Sequence, residues 1–256
     1  MTMDLTASHL TSSAAATASS RAALNKTTAR VAGVFYLLVG IFGGFAEGYV
    51  EPKMRVPGDA ATTLANVVSN DALIRIGVVA DLLDQAFFVL LAATLYVLLK
   101  SVNHGVAVVM LSLVIAAAAI AGLNVIFLFE ALHVSSDAGA LNAFGAGGVA
   151  DMVLMLIDFQ HYGLLAAQVF FGLWLAPLGY LALKSGQFSR PLGFLLIVAA
   201  GCYLVDLLTA FLVPDFSKLI HTYVVIPCAV AEIWMVLYLL VIGVRTPRGQ
   251  RTLPAT

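Results

Sequence analysis

Six long apolar stretches, near residues 29–50, 72–100, 104–133, 157–184, 190–213 and 219–244, organise the chain. Each reaches the roughly 20 residues needed to cross the hydrocarbon at about 1.5 Å per residue. The second to fourth are longer, which predicts tilt or projection beyond the membrane. None shows the ten-residue alternation of a barrel strand, so the pattern predicts helices. The expected fold is all-α: an integral membrane bundle of six transmembrane helices.

The polar breaks set the connections. Asn103-His104-Gly105 and Lys184-Ser185-Gly186-Gln187 predict tight turns that pair adjacent helices as hairpins. Pro57-Gly58-Asp59 reads as a turn and helix N-cap. After it, Ala60, Ala61, Leu64, Val67 and Val68 predict the apolar face of a short helix lying on the outer membrane surface. The Gly/Ala-rich stretch 134–150, with Gly145-Ala146-Gly147-Gly148, has no phosphate-loop pattern and predicts a flexible connector. Residues 1–28, rich in Ser, Thr and Ala, predict a disordered cytoplasmic tail. The transmembrane domain is expected over 29–245, with a second cytoplasmic tail over 246–256. No internal repeat supports an inverted-repeat transporter.

Lysine and arginine placement gives an orientation. With both termini inside, the cytoplasmic side carries Arg21, Lys26, Arg30, Lys100, Lys184, Arg190, Arg245, Arg248 and Arg251, and the outer side carries Lys53, Arg55, Arg75 and Lys218. Nine against four is a positive-inside bias, so an N-in/C-in arrangement is expected.

Composition agrees. Apolar residues make up 61% of the chain and charged residues 11%, and the mean hydropathy is +1.00. A soluble domain of this length needs more charge to cover its surface, whereas a bilayer removes that need. A net charge of −1 without a basic run excludes a nucleic-acid patch. Cys202 and Cys228 both fall in apolar segments, away from any C-x-x-C pattern, which predicts two buried thiols.

Several short motifs keep a recognisable order: Ala29-Arg-Val-Ala-Gly-Val-Phe-Tyr36, Val56-Pro-Gly-Asp-Ala-Ala61, Leu73-Ile-Arg-Ile-Gly77, Tyr96-Val-Leu-Leu99, Phe170-Phe-Gly-Leu173, Gly179-Tyr-Leu181 and Pro191-Leu-Gly193. In these the chain resembles the prokaryotic membrane-protein family catalogued as domain of unknown function 4386. The resemblance implies a bacterial or archaeal multi-pass protein, expected in a bacterial inner membrane. It carries no activity and no catalytic residue.

Ionisable residues are the informative exceptions to the apolar pattern. A charge at the bilayer centre costs about 2.5–3.5 kcal/mol on insertion scales, so such residues point to a role. Glu47 ends the first stretch. Asp81, Asp84 and Gln85 share one face of the second at i, i+3 and i+4. Glu130 and His133 close the third. Asp158, His161 and Gln168 form a stripe down the fourth, within about 80° on a wheel of roughly 100° per residue. Asp206 and Glu232 lie in the fifth and sixth. Counted from the helix ends, these residues concentrate in the outer half, with Glu232 near the midplane. The asymmetry predicts a polar cavity facing outward. Glu47, Glu130, His133 and Asp158 also suit the headgroup level, where charge costs little.

Three functions stay open on these residues. In the first, Asp81, Asp84, Asp206 and Glu232 bind a proton, an ion or a small cationic solute in a carrier, and a homo-oligomer would supply the missing symmetry. In the second, Glu130-Ala-Leu-His133 and Asp158-Phe-Gln-His161 each offer a carboxylate and an imidazole at i, i+3, spacing that suits a divalent metal in a membrane enzyme. In the third, the acids knit helices together in a non-catalytic scaffold or sensor subunit. The partner common to all three is the lipid bilayer.

Overall fold

A computed structural model describes the backbone over residues 3–245 and the side chains over 24–245. The tail expected over 246–256 lies outside the described residues, and most of that expected over 1–28 lies outside the described side chains. The chain is a run of helices: α1 (Met3–Phe45), α2 (Glu51–Met54), α3 (Ala60–Ser69), α4 (Asp71–Leu99), α5 (His104–Ser136), α6 (Ala138–Leu173), α7 (Leu175–Ser185), α8 (Arg190–Leu212) and α9 (Pro214–Leu237). Wide π-helical turns follow α1, at Ala46–Val50, and α9, at Tyr238–Ile242. No strand occurs among the described residues.

Among the described residues, six segments are long and apolar enough to cross a membrane: Leu24–Met54, Asp71–Leu99, His104–Ser136, Ala138–Ser185, Arg190–Leu212 and Pro214–Ile242. Their outward faces are as apolar as their buried ones. Leu123, Val241 and Leu219 stand 67%, 71% and 72% exposed, which water would penalise and lipid tails accept. The protein is a multi-pass membrane protein.

Neighbouring helices pair as the short turns require. The bundle then closes on itself, because α9 and its π-helical turn return against α1. Gly33 permits that contact: a Cβ there would stand 2.9 Å from the backbone nitrogen of Leu240. The larger apolar core joins all six spans through residues such as Tyr36, Phe88, Trp174, Leu196 and Met235. A smaller core gathers Val50, Met54, Val67, Ile74, Leu128 and Ile157 at the opposite end from the termini.

Two connections differ from expectation. The stretch 134–150 is helical, not a loose connector. Asp137 terminates α5 and caps α6, accepting from the N–H groups of Gly139 at 2.9 Å and Ala140 at 3.3 Å. Alanine favours helix on both sides, but within α6 Gly145 leaves helical geometry, at φ +71 and ψ 171, and divides it into a short helix before the glycine and a long one after it. The helix α3 forms where Asp59 predicts it, but its buried face is not wholly apolar. Thr63 is fully buried beside Val67. Its hydroxyl accepts from the Val56 N–H at 3.1 Å and donates to the Val56 carbonyl at 3.2 Å, so α3 docks onto the preceding turn and packs against α5 and α6. Asp59 accepts from the Thr62 N–H at 2.9 Å and the Thr62 hydroxyl at 2.7 Å. Those donors hold its carboxyl below the usual carboxylate range. This cap is present above the ordinary carboxylate pKa and is lost as pH falls through the lowered value.

Proline breaks the fourth span. Pro177 has no N–H for the Leu173 carbonyl, and α6 ends at Leu173, with α7 starting after Trp174. Pro227, by contrast, lies inside a continuous α9.

Candidate functional site

The expected face of α4 is buried as a unit: Asp81, Asp84 and Gln85 are 5%, 7% and 6% exposed. The Gln85 amide orders them, donating to Asp81 Oδ1 at 3.2 Å and to Asp84 Oδ2 at 2.9 Å. The first helix comes close because Gly43 lacks a side chain; a Cβ there would stand 3.3 Å from Asp84 Oδ1. Glu47 sits in the π-helical turn that follows α1, a local widening often found at functional sites. The fourth span brings Gln168, and Gln160 reaches the Glu47 side chain. The fifth brings Tyr203, seated directly on Gly172, where a Cβ would fall 2.6 Å from the tyrosine Cβ. Glu47, Asp81, Asp84, Gln85, Gln168 and Tyr203 line one cavity of about 160 Å³.

The hydrogen-bond balance of this cavity is one-sided. Asp84 Oδ1, Gln85 Oε1, Gln160 Oε1 and Gln168 Oε1 are buried and receive no protein donor. All four are acceptors, clustered on or beside the same three carboxylates. A buried acceptor left unmatched costs about 1–3 kcal/mol. The site therefore favours a ligand that brings N–H or O–H donors, and the carboxylates favour one that brings positive charge.

Glu232 forms a second polar group that adjoins the first. Tyr203 donates to its Oε1 at 2.6 Å, and Tyr36 donates to its Oε2 at 3.3 Å. Tyr203 thus touches both the cavity and Glu232. The other side of Glu232 borders a groove of about 360 Å³ between α1 and α9, with Tyr36, Gly40 and Ile233 among its walls. A stack of rings supports the arrangement: Tyr36 lies 5.8 Å from Trp174, Trp174 meets Phe88 edge-on at 5.2 Å, and Phe88 stacks on Phe171 at 4.9 Å.

The remaining expected residues take other places. Asp206 meets His221 at 2.8 Å, with the imidazole largely exposed. Asp158 accepts from Arg55 Nε and Nη2, both at 2.9 Å. His161 stands 3.4 Å from Glu51, which is itself 3.9 Å from Arg55. Glu130 and His133 face outward and are exposed. So Glu130, His133, Asp158 and His161 are not gathered into one ligand set, and no group of three or more His, Cys, Asp or Glu able to hold a metal occurs among the described residues. The α4 pair Asp71 and Arg75 forms a two-point contact at 2.8 and 3.0 Å on the exposed surface, a kind worth little to stability. Cys202 and Cys228 are free.

Sequence reasoning passed over Tyr203, Gln160, Glu51 and Arg55. The arginine gave the one usable signal, a cation among the outer acids. The tyrosine and glutamine read as ordinary helix residues until their neighbours are known.

A family model described as a domain of unknown function (DUF4386) matches residues 31–243. The chain belongs to this family. No curated protein and no solved structure matches it. The DUF4386 segment begins within α1 and ends just past the second π-helical turn, so it contains every residue of the cavity together with Tyr36 and Glu232.

Proposed function

We propose that the protein is a membrane carrier that takes a small organic cation into the Glu47–Asp81–Asp84 cavity. The observation that supports this best is the excess of acceptors: three carboxylates and three unmatched oxygens, those of Asp84, Gln85 and Gln168, belong to residues that line one space, with a fourth on Gln160 beside Glu47. A protonated amine supplies the missing donors and the missing charge together. The volume, about 160 Å³, suits such a solute or a few water molecules. Glu232, linked through Tyr203, extends the acidic path toward the other end of the bundle, so a bound cation or proton has a second station.

Sidedness follows from the basic residues. The end that carries both termini is cytoplasmic in this reading, and the cavity lies in the outer half. An exported reporter joined after Met54 is expected to be active and one joined after Arg251 inactive; the reverse would invert the carrier.

Uptake of radiolabelled methylammonium into vesicles containing the purified protein tests the function. Saturable uptake above that of empty vesicles is expected, lost in Asp84→Asn and retained in Glu130→Gln, which changes an exposed acid outside the cavity. Uptake no greater than in empty vesicles, or equal in parent and Asp84→Asn, would refute the proposal.

A further inference from the structure

The end of the bundle where both termini emerge carries a second concave site, of opposite chemistry. Three segments distant in sequence meet there: the start of the first span, the α7–α8 turn and the chain leaving the second π-helical turn. Backbone bonds build the junction. The Gln187 carbonyl accepts from the Tyr238 hydroxyl at 3.0 Å and from the Arg245 N–H at 3.0 Å. Gly186, at φ +64, makes the tight turn that a side chain would strain. Gly243, at φ +70, brings the C-terminal segment against α1, where a Cβ would stand 3.4 Å from the Lys26 carbonyl.

The concavity, open on one side, has a volume of about 1190 Å³, and Lys26, Lys184, Arg190 and Arg245 all line it. No carboxylate lines it, and none of the four cations joins an ion pair among the described residues. Like charges held on one concave surface repel each other and concentrate anions. Ser189 adds a further signal. It occupies the N-cap position of the 23-residue helix α8, where a serine oxygen ordinarily accepts a helix N–H. Here it makes no capping bond, and its buried hydroxyl has no protein partner. A donor hydroxyl, a helix N-terminus and four cations thus border one cavity.

We infer that this cavity binds the phosphoryl headgroup of an anionic phospholipid. The phosphate accepts from Ser189 and the basic side chains, and the helix α8 dipole favours its charge. A lipid is the fitting source because of position. Lys184 lies in the last turn of α7 and Arg190 opens α8, both at the ends of membrane-crossing segments where headgroups reside. Leu183, Pro191 and Ile242 give the cavity an apolar wall for the first carbons of the lipid chains. This site is independent of the cation cavity.

Thermal unfolding of the detergent-purified full chain tests the inference, with three probes: dioctanoyl phosphatidylglycerol, dioctanoyl phosphatidylcholine and inorganic phosphate. A saturable rise in Tm is expected with phosphatidylglycerol and not with phosphatidylcholine. Lys184→Gln/Arg190→Gln should raise the half-saturating concentration at least about tenfold, whereas Lys53→Gln/Lys218→Gln, which removes equal charge elsewhere, should leave it unchanged. Ser189→Ala keeps the charge and guards against a misfolded double variant; it should weaken the response about fivefold. Equal responses to the two lipids, or equal weakening by both double variants, would overturn the site. A response to inorganic phosphate but not to phosphatidylglycerol would overturn the lipid as occupant. An unchanged response in Ser189→Ala would remove the serine from the site and contradict the geometry.

Discussion

Asp84→Asn should weaken cation binding about a hundredfold and leave the protein as stable as the parent or more so. The residue is buried, Gln85 satisfies one of its oxygens, and its other oxygen has no donor. None of the ion pairs among the described residues includes it. An asparagine keeps an oxygen for the Gln85 amide and turns an NH₂ toward the unmatched position. It therefore replaces a buried ionisable group by a neutral one at little structural cost, a change that often stabilises. A bound cation loses one of the three carboxylates that line the cavity, which costs about 2–5 kcal/mol, so the affinity should fall about a hundredfold. Thermal unfolding with a parallel binding titration checks both halves. If the acids served only to hold helices together, the amide would leave binding intact, and the scaffold reading would gain.

The largest loss of stability is expected at Gly179. Here α7 and α8 touch backbone to backbone: a Cβ on Gly179 would lie 2.7 Å from the Gly193 carbonyl oxygen and 2.8 Å from Ile197. Neither obstacle is the free end of a flexible chain, so Gly179→Leu must push the helices apart. Overpacking of this kind costs about 3 kcal/mol, or roughly 10 °C in Tm for a chain of this size. Gly201→Leu, on α8 where no atom lies within 4 Å, is the matched control and should change Tm little. The splayed pair also carries the Ser189 turn, so Gly179→Leu should weaken the phosphatidylglycerol response as well. Equal melting of the two variants would mean that the α7–α8 contact is looser than the structure has it.

The six spans were legible because crossing a bilayer demands long apolar runs and little else produces them. The Asp81–Asp84–Gln85 face was legible too, since i, i+3 and i+4 positions share a side of any helix, whatever its neighbours. What periodicity lacks is the rotation of each helix against the rest. Glu130 and His133 share a face just as well, yet that face looks outward. The α9–α1 closure was invisible for the same reason, and Tyr203 and Gln160 with it, because neither stands out until the fifth span is set against the fourth and sixth and the Gln160 side chain is set beside Glu47. Glycine content misled at 138–150. Composition suggested a loop, but the Asp137 cap and the alanines sustain helix on both sides of a break at Gly145. Arg55 explains why the Asp158 and His161 pair takes no part in the cavity: the guanidinium holds the acid, and the imidazole faces Glu51.

Charge is divided along the bundle, which bears on the proposed carrier. The three cavity carboxylates and most of the unmatched acceptors occupy one half, four cations without an ion pair among the described residues rim the opposite end, and Glu232 with its two tyrosines lies between them. A cation entering from the acidic half meets favourable groups as far as Glu232 and unfavourable ones beyond.

Isothermal titration of methylammonium into the purified protein, beside Asp84→Asn, tests the central claim most directly. Saturable heat with one site per chain in the parent, and none in the folded variant, is the predicted result. No heat in the parent, or the same isotherm in both proteins, would contradict the assignment of the cavity as a cation site.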